Sequence, residues 1–338
     1  MSASFIAGCC GPRLSSDERA FFSEEDPWGF ILFKRNCETP EQVSDLVRSL
    51  RDAVGRPDAP ILIDQEGGRV QRLSPPHWHA YPAARVFGEI FARDPELGLR
   101  AVWLGARLIA SDLHALGIDV NCLPVLDLPL EGAHDVIGRR AYASEPVAVE
   151  ALAKAAIDGL MAGGVLPVVK HIPGHGRAQV DSHFELPLVT TSRAILDSVD
   201  FHPFRALSDS PLGMTCHVLF SDIDPARPAT LSPTIISEVV RGSIGFDGLL
   251  MTDDISMGAL GGALKDRSRR ALDADVDIVL HCSGDLGELR EVAAGCQPLA
   301  GRAAERAARA LAARRAPQPI DLSAARAEFD ALIVVATT

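Results

Sequence analysis

The 338 residues are 47% hydrophobic and 23% charged, a balance that excludes a disordered or fibrous chain and provides ample apolar surface for a core. A net charge of -12 argues against a protein that wraps nucleic acid or rests on anionic lipid, because an acidic surface attracts neither polyanion at long range. The length fits two domains, or one (β/α) barrel of roughly 250 residues with additional helix, so the pattern along the chain must decide.

Short apolar runs recur along the chain, separated by segments of helical periodicity, the alternation of a parallel sheet. The first, "FIAGCCG" (5–11), resembles a lipoprotein cleavage site, but no Lys or Arg precedes it and the apolar stretch is too short for a secretion signal. It reads as a strand. "GFILF" (29–33) follows, then "TPEQVSDLVRSLRDAV", where Thr39 as N-cap and Pro40 at the first helical position mark a helix start. The third run is "ILIDQE" (61–66). In the next segment Leu104, Leu108, Ile109, Leu113 and Leu116 recur at near-helical spacing, and Gly117 supplies the stop.

Five more runs complete the series: "IDVNCLPVLD" (118–127), "LPVVKH" (166–171), "GMTCHVL" (213–219), "GLLMTDD" (248–254) and "DIVLHCS" (277–283). Eight strands with intervening helices predict one closed (β/α)8 TIM-type barrel spanning the chain, with a C-terminal helical extension over about 300–338. An open doubly wound sheet would carry a glycine-rich phosphate fingerprint after its first strand, and "GCCGPR" does not match one. The seven cysteines lie mostly in apolar runs, as Cys122, Cys216 and Cys282 do, and read as reduced core residues of a cytosolic protein. No run approaches the roughly 18 apolar residues of a membrane span.

A barrel of this kind places its active site at the C-terminal ends of the strands, so the polar residues that close the apolar runs are the candidates. Asp64 closes the third, Asp127 the fourth, Lys170 and His171 the fifth, His217 the sixth, and Asp253 with Asp254 the seventh. Beyond the fifth run, "KHIPGHGRAQVDSH" (170–183) extends into a loop, where Pro173, Gly174 and Gly176 permit tight turns close to a ligand. Its histidines raise a zinc reading. Barrel metallohydrolases add an H-x-H on the first strand and an aspartate after the eighth, which "FIAGCCG" lacks and "HCSGD" matches only weakly, so no metal and no cofactor is expected.

Several motifs occur together and in one order: "GFILFKRN", "IDQEGGRVQRL", "VIGRRAY", "KHIPGHG" followed by "DSH", "MTCHVLFSDID" and "GFDGLLMTDDISM". Through them, over roughly residues 28 to 283, the chain resembles family 3 glycoside hydrolases, specifically the bacterial β-N-acetylhexosaminidases of cell-wall recycling. The resemblance implies that Asp253 is the nucleophile, His183 the general acid/base and Asp181 its partner, and that Asp64, Arg72, Arg140, Lys170 and His171 hold the sugar. A retaining glycosidase needs its nucleophile about 5 Å from the acid/base. A histidine, with an unperturbed pKa of about 6.5, suits proton transfer in both directions. His175 reads as a residue that shapes the loop.

Strand alternation places Asp253 and Asp254 on opposite faces, so that one points into the site without saying which; the resemblance chooses Asp253, and Asp254 then reads as a cap of a helix starting near Ile255. The resemblance further implies a cytoplasmic monomer that cleaves terminal β-linked N-acetylglucosamine from a muropeptide bearing 1,6-anhydro-N-acetylmuramic acid, with no nucleic-acid or membrane partner. Phosphorolysis is the alternative, since a histidine acid/base adds no negative charge to repel phosphate. A related β-glucosidase and a non-catalytic muropeptide-binding barrel are two more, and the set Asp181, His183 and Asp253 speaks against the last.

Overall fold

A computed structural model describes residues 2–130, 132 and 134–337. Eight parallel strands close into a barrel: β1 (Ala3–Gly8), β2 (Pro27–Leu32), β3 (Ile61–Ile63), β4 (Val120–Asn121), β5 (Leu166–Ile172), β6 (Leu212–Thr215), β7 (Leu249–Asp254) and β8 (Ile278–His281). Each strand pairs with the next in sequence and β8 returns to β1, with Ala7 opposite His281. The fold class read from the alternating runs is the one observed.

Alternation along the strands sorts the apolar residues into two layers. Ile6, Ile31, Leu62, Val168, Met214, Met251 and Leu280 fill the barrel interior. Their neighbours Phe5, Ala7, Phe30, Leu32, Ile63, Val169 and Leu250 face outward into the helical shell. The helices start and stop where local chemistry dictates. Pro40–Ala53 begins with Thr39 accepting the Gln42 amide at 3.3 Å, and Pro95–Ala115 ends before Gly117, whose φ of +79° suits a residue without Cβ.

Several strands, β4 and β6 among them, are shorter than their apolar runs. Pro124 has no N–H to offer, so β4 stops at Asn121 and the chain continues beside β5 irregularly, with Leu126 N–H donating to the Lys170 carbonyl at 2.7 Å. β6 ends at Thr215, and Leu219–Phe220 instead pairs with Leu188–Val189 in a separate two-stranded sheet over the C-terminal rim. At the opposite end, the helix Gly301–Ala312 closes the barrel floor, with Arg306 buried between Asp247 and Asp277. The helix Leu322–Thr337 packs Phe329 against Tyr81 and Phe87. Among the described residues, no helix is long and apolar enough to cross a membrane.

Candidate active site

A pocket of about 440 Å³ opens at the C-terminal mouth of the barrel, and the eight residues to which the resemblance gave roles line it, Asp64, Arg72, Arg140, Lys170, His171, Asp181, His183 and Asp253, while the strand-end candidates Asp127 and His217 lie outside its lining. The interior layer explains three of these placements. Leu62, Val168 and Met251 face inward, so Asp64, Lys170 and Asp253, each two residues on, continue the same side into the mouth.

Across the floor runs a ladder of alternating charge. Arg72 Nη2 donates to Asp64 Oδ2 at 3.0 Å, and Lys170 Nζ lies 2.9 Å from Asp64 Oδ1 and 2.7 Å from Glu66 Oε1. Arg140 then grips Glu66 with both prongs at 2.9 and 2.8 Å. Burial opposes charge on Asp64, but Lys170 and Arg72 outweigh it and hold the carboxyl well below its usual range. Burial likewise opposes charge on Glu66, which Arg140 and Lys170 bring down to about 2. Burial would also neutralise Lys170, yet Asp64 and Glu66 raise its ammonium above the ordinary value, so it stays charged. The ladder is a rigid set of ionised groups offering donors and acceptors to a polar ligand. Arg72 Nε lies buried without a partner among the described residues.

Glu66 was absent from the residues picked out of the sequence. The signal was present: Asp64 and Glu66 stand two apart in "IDQEGG", a spacing that puts both carboxylates on one side of an extended chain. Arg140 is reached through Glu66, which takes up its fork. Asp127, found in the sequence as a residue closing a run, is buried beneath the site. Its Oδ2 lies 2.6 Å from His171 Nδ1, and its Oδ1 accepts the His175 amide at 2.6 Å. Burial raises Asp127, but His171 and His175 outweigh that and keep it ionised, so the proton resides on His171 Nδ1 and Nε2 is turned to the pocket.

His175 sits beneath the loop, its Nε2 3.0 Å from Ser182 Oγ, and burial lowers its pKa to about 4. His217 is also buried. Its Nε2–H donates to the Asp254 carbonyl at 3.0 Å, and its Nδ1 meets Thr230 Oγ1 at 2.7 Å, which clamps the backbone beside Asp253. Burial lowers the His217 pKa as well, so this clamp is a neutral imidazole of fixed tautomer.

Asp253 Oδ1 accepts the Asp254 amide at 2.8 Å. Burial pushes Asp253 up, while the imidazoles of His171 and His217, the Asp254 amide and Lys170 together bring it below the ordinary carboxylate value, leaving an anion at the pocket wall. Asp254 also reaches the lining, contrary to a strict division of the pair between faces, because the register of β7 against β8 shifts between Met251 and Asp254. Its carboxylate caps a turn rather than a helix: it accepts from Ser256 N at 3.1 Å and Ser256 Oγ at 2.8 Å, and the next helix starts at Leu264.

His183 stands on the loop opposite, its side chain 61% exposed, with Nδ1 2.7 Å from Asp181 Oδ1. The same oxygen accepts the His183 amide at 2.9 Å, which folds Asp181 and His183 into a tight unit. Burial works against charge on Asp181, but the His183 amide and ring hold its carboxyl below the usual range. Nδ1 therefore donates to Asp181 and Nε2 is left to exchange a proton with whatever occupies the pocket. An ionised carboxylate on one wall and an oriented imidazole on the other are the two groups that nucleophilic displacement with proton transfer requires. Among the described residues, no group of three or more His, Cys, Asp and Glu is arranged to hold a metal.

Residues 8–311 match the glycosyl hydrolase family 3 N-terminal domain. A β-hexosaminidase of Alkalilimnicola ehrlichii is 41% identical over 282 residues, covering 82% of this chain and 80% of its own. One of Methylococcus capsulatus is 40% identical over 277 residues, covering 81% and 80%. The crystal structure of NagZ from Neisseria gonorrhoeae in complex with N-trifluoroacetyl-D-glucosamine superposes with a TM-score of 0.86 at 31% identity, over 99% of this chain and 97% of that one. With its barrel closed, its pocket assembled and its relatives alike over most of their length, the chain belongs to family 3 of the glycoside hydrolases, among its bacterial β-N-acetylhexosaminidases.

Proposed function

We propose that the enzyme removes terminal β-linked N-acetylglucosamine from peptidoglycan fragments, with the disaccharide bearing 1,6-anhydro-N-acetylmuramic acid as substrate, and retains anomeric configuration through a covalent intermediate on Asp253. The observation that carries this reading is the meeting of Asp253 with the Asp181–His183 pair at one pocket. In the first step the Asp253 carboxylate attacks the anomeric carbon as His183 Nε2 gives its proton to the departing oxygen, and a glycosyl ester forms. In the second, neutral His183 takes a proton from water, which attacks the ester and frees Asp253. Asp181 orients the ring and stabilises its cationic form in the first step. Asp64, Lys170, His171, Arg72 and Arg140 bind the sugar hydroxyls, and Glu66 keeps Lys170 and Arg140 in place.

The N. gonorrhoeae relative is in complex with a glucosamine derivative acylated at nitrogen, which supports an N-acylated sugar in this pocket. Seven free cysteines, several of them buried thiols that burial keeps protonated, support a reducing, cytoplasmic location, and the single closed barrel supports an enzyme working as one catalytic domain, which we propose to be a monomer. The test is a 5-fluoro N-acetylglucosaminyl fluoride, which slows the second step more than the first. A label mapped by peptide mass spectrometry to Asp253 supports the reading, and a label elsewhere overturns it. Products formed with and without phosphate separate hydrolysis from phosphorolysis, since sugar 1-phosphate would identify the latter.

A further inference from the structure

Phe184 follows His183 directly and is 80% exposed. One exposed apolar side chain is ordinary on a protein surface and carries nothing alone. Its position is what matters. His183 delivers its proton to the oxygen that joins the two halves of the substrate, so whatever is attached to the departing side of that oxygen lies against the residues flanking His183. The Phe184 ring stands 6.5 Å from the His183 ring, centroid to centroid, tilted by 49°. Asp181 and His183 line the pocket and Phe184 does not, so the phenyl ring stands beside the pocket, next to His183 and exposed to solvent.

The ring is carried on a fixed turn. The amides of Phe184 and Glu185 both donate to the Asp181 carbonyl at 3.0 Å, and the carbonyls of His183 and Phe184 lie against Gly258 on the loop after β7. An aromatic ring on this turn, bare of polar atoms, suits one face of a departing pyranose in its ordinary chair, such as N-acetylglucosamine, whose axial C–H bonds form an apolar surface of ring size. We infer that Phe184 is the platform on which the departing sugar stacks, and thus a residue that sets leaving-group specificity. This rests on the proposed role of His183. Contact with the departing half of the substrate is binding energy remote from the reacting carbon, which holds the glycosidic oxygen under His183 Nε2.

The experiment compares a β-1,4-linked disaccharide of N-acetylglucosamine with N-acetylglucosaminyl fluoride, whose leaving group has no ring to stack. In Phe184→Ala the ratio of kcat/KM for the disaccharide to that for the fluoride is expected to fall about tenfold, and Phe184→Trp is expected to restore it. A wild-type enzyme inert on both substrates overturns the underlying reading and the platform with it. A wild type active on both, with a ratio unchanged in Phe184→Ala or unrestored by Phe184→Trp, overturns the platform alone. If the ratio holds while a concentration-dependent dimer is lost, a second copy of the chain covers the ring and the platform is likewise overturned.

Discussion

Gly258 donates its backbone N–H to the His183 carbonyl at 2.9 Å, and the next amide, Ala259, donates to the Ser182 carbonyl at 3.1 Å. The loop after β7, which begins beside Asp253, is thereby stitched to the loop that carries His183, so the two groups proposed for catalysis share a backbone connection. The approach is too close for a side chain, since a Cβ on residue 258 would lie 2.7 Å from the Phe184 carbonyl oxygen and 2.8 Å from that of His183. Gly258→Ala should displace the His183 loop and lower kcat/KM for a disaccharide by roughly 10- to 100-fold, since shifts near 1 Å cost that much. A dinitrophenyl substrate, which needs no proton, should be spared in its first step. Parallel assays check this, and equal losses on both substrates would show that the damage is general.

His183→Ala removes the proposed proton donor and spares Asp253, the proposed nucleophile. Dinitrophenolate leaves without a proton, so glycosylation should slow little with that leaving group and by about 100-fold or more with a sugar. The second step still needs a base, so the glycosyl-enzyme should accumulate, and azide should restore turnover and yield a β-glycosyl azide. Asp181→Ala should give a weaker form of the same phenotype, because the imidazole remains but loses its 2.7 Å partner. Rescue by azide in Asp64→Ala but not in His183→Ala would move the proton transfers away from His183.

The barrel was legible because eight apolar runs alternate with helical segments, and the chemistry was legible where polar residues interrupt apolar runs. What stayed hidden has local causes. In "GLLMTDD" Leu249, Leu250 and Met251 are all apolar, because a parallel strand is buried on both faces, and alternation alone gave no means of choosing between Asp253 and Asp254. The resemblance pointed to Asp253, and the three-dimensional sorting of Met251 inward and Leu250 outward supplies a physical reason for that choice. Glu66 escaped because its work is indirect, fixing Lys170 and Arg140, and Asp127, though noticed as the close of its run, showed no sign there that it fixes His171. The bond from Gly258 to His183 joins residues 75 apart through backbone atoms, which leave no mark in side-chain patterns.

Lys170 is 2% exposed and lies between two carboxylates, so Lys170→Met should leave Asp64 and Glu66 facing each other across an apolar stem. Breaking a buried ion pair by removing one partner costs about 3–5 kcal/mol, because a desolvated charge remains uncompensated. Arg72 and Arg140 still hold one carboxylate each, which argues for the lower end of that range. Urea denaturation at neutral pH measures it. A loss under about 1 kcal/mol would show that the two arginines suffice to neutralise the pair and that Lys170 serves binding alone.

His175 should tie stability to pH. Burial lowers its pKa from 6.5 to about 4, so in that interval the unfolded chain binds a proton that the folded protein refuses. Stability then rises with pH across the interval: the contribution is fully present above pH 6.5 and is lost as the pH falls toward 4, to a total of about 3 kcal/mol. Asp127, His171 and Asp253 act on the same imidazole, and all three remain in a His175→Gln variant, so the difference between the two proteins isolates this group. The variant loses the 3.0 Å contact to Ser182 and should be less stable at pH 7, yet its stability should fall less steeply between pH 6.5 and 4. Denaturant midpoints measured at half-unit steps of pH give both curves. Parallel curves would mean that His175 takes up its proton in the folded protein as readily as in the unfolded chain, and that the loop opens to water before the core does.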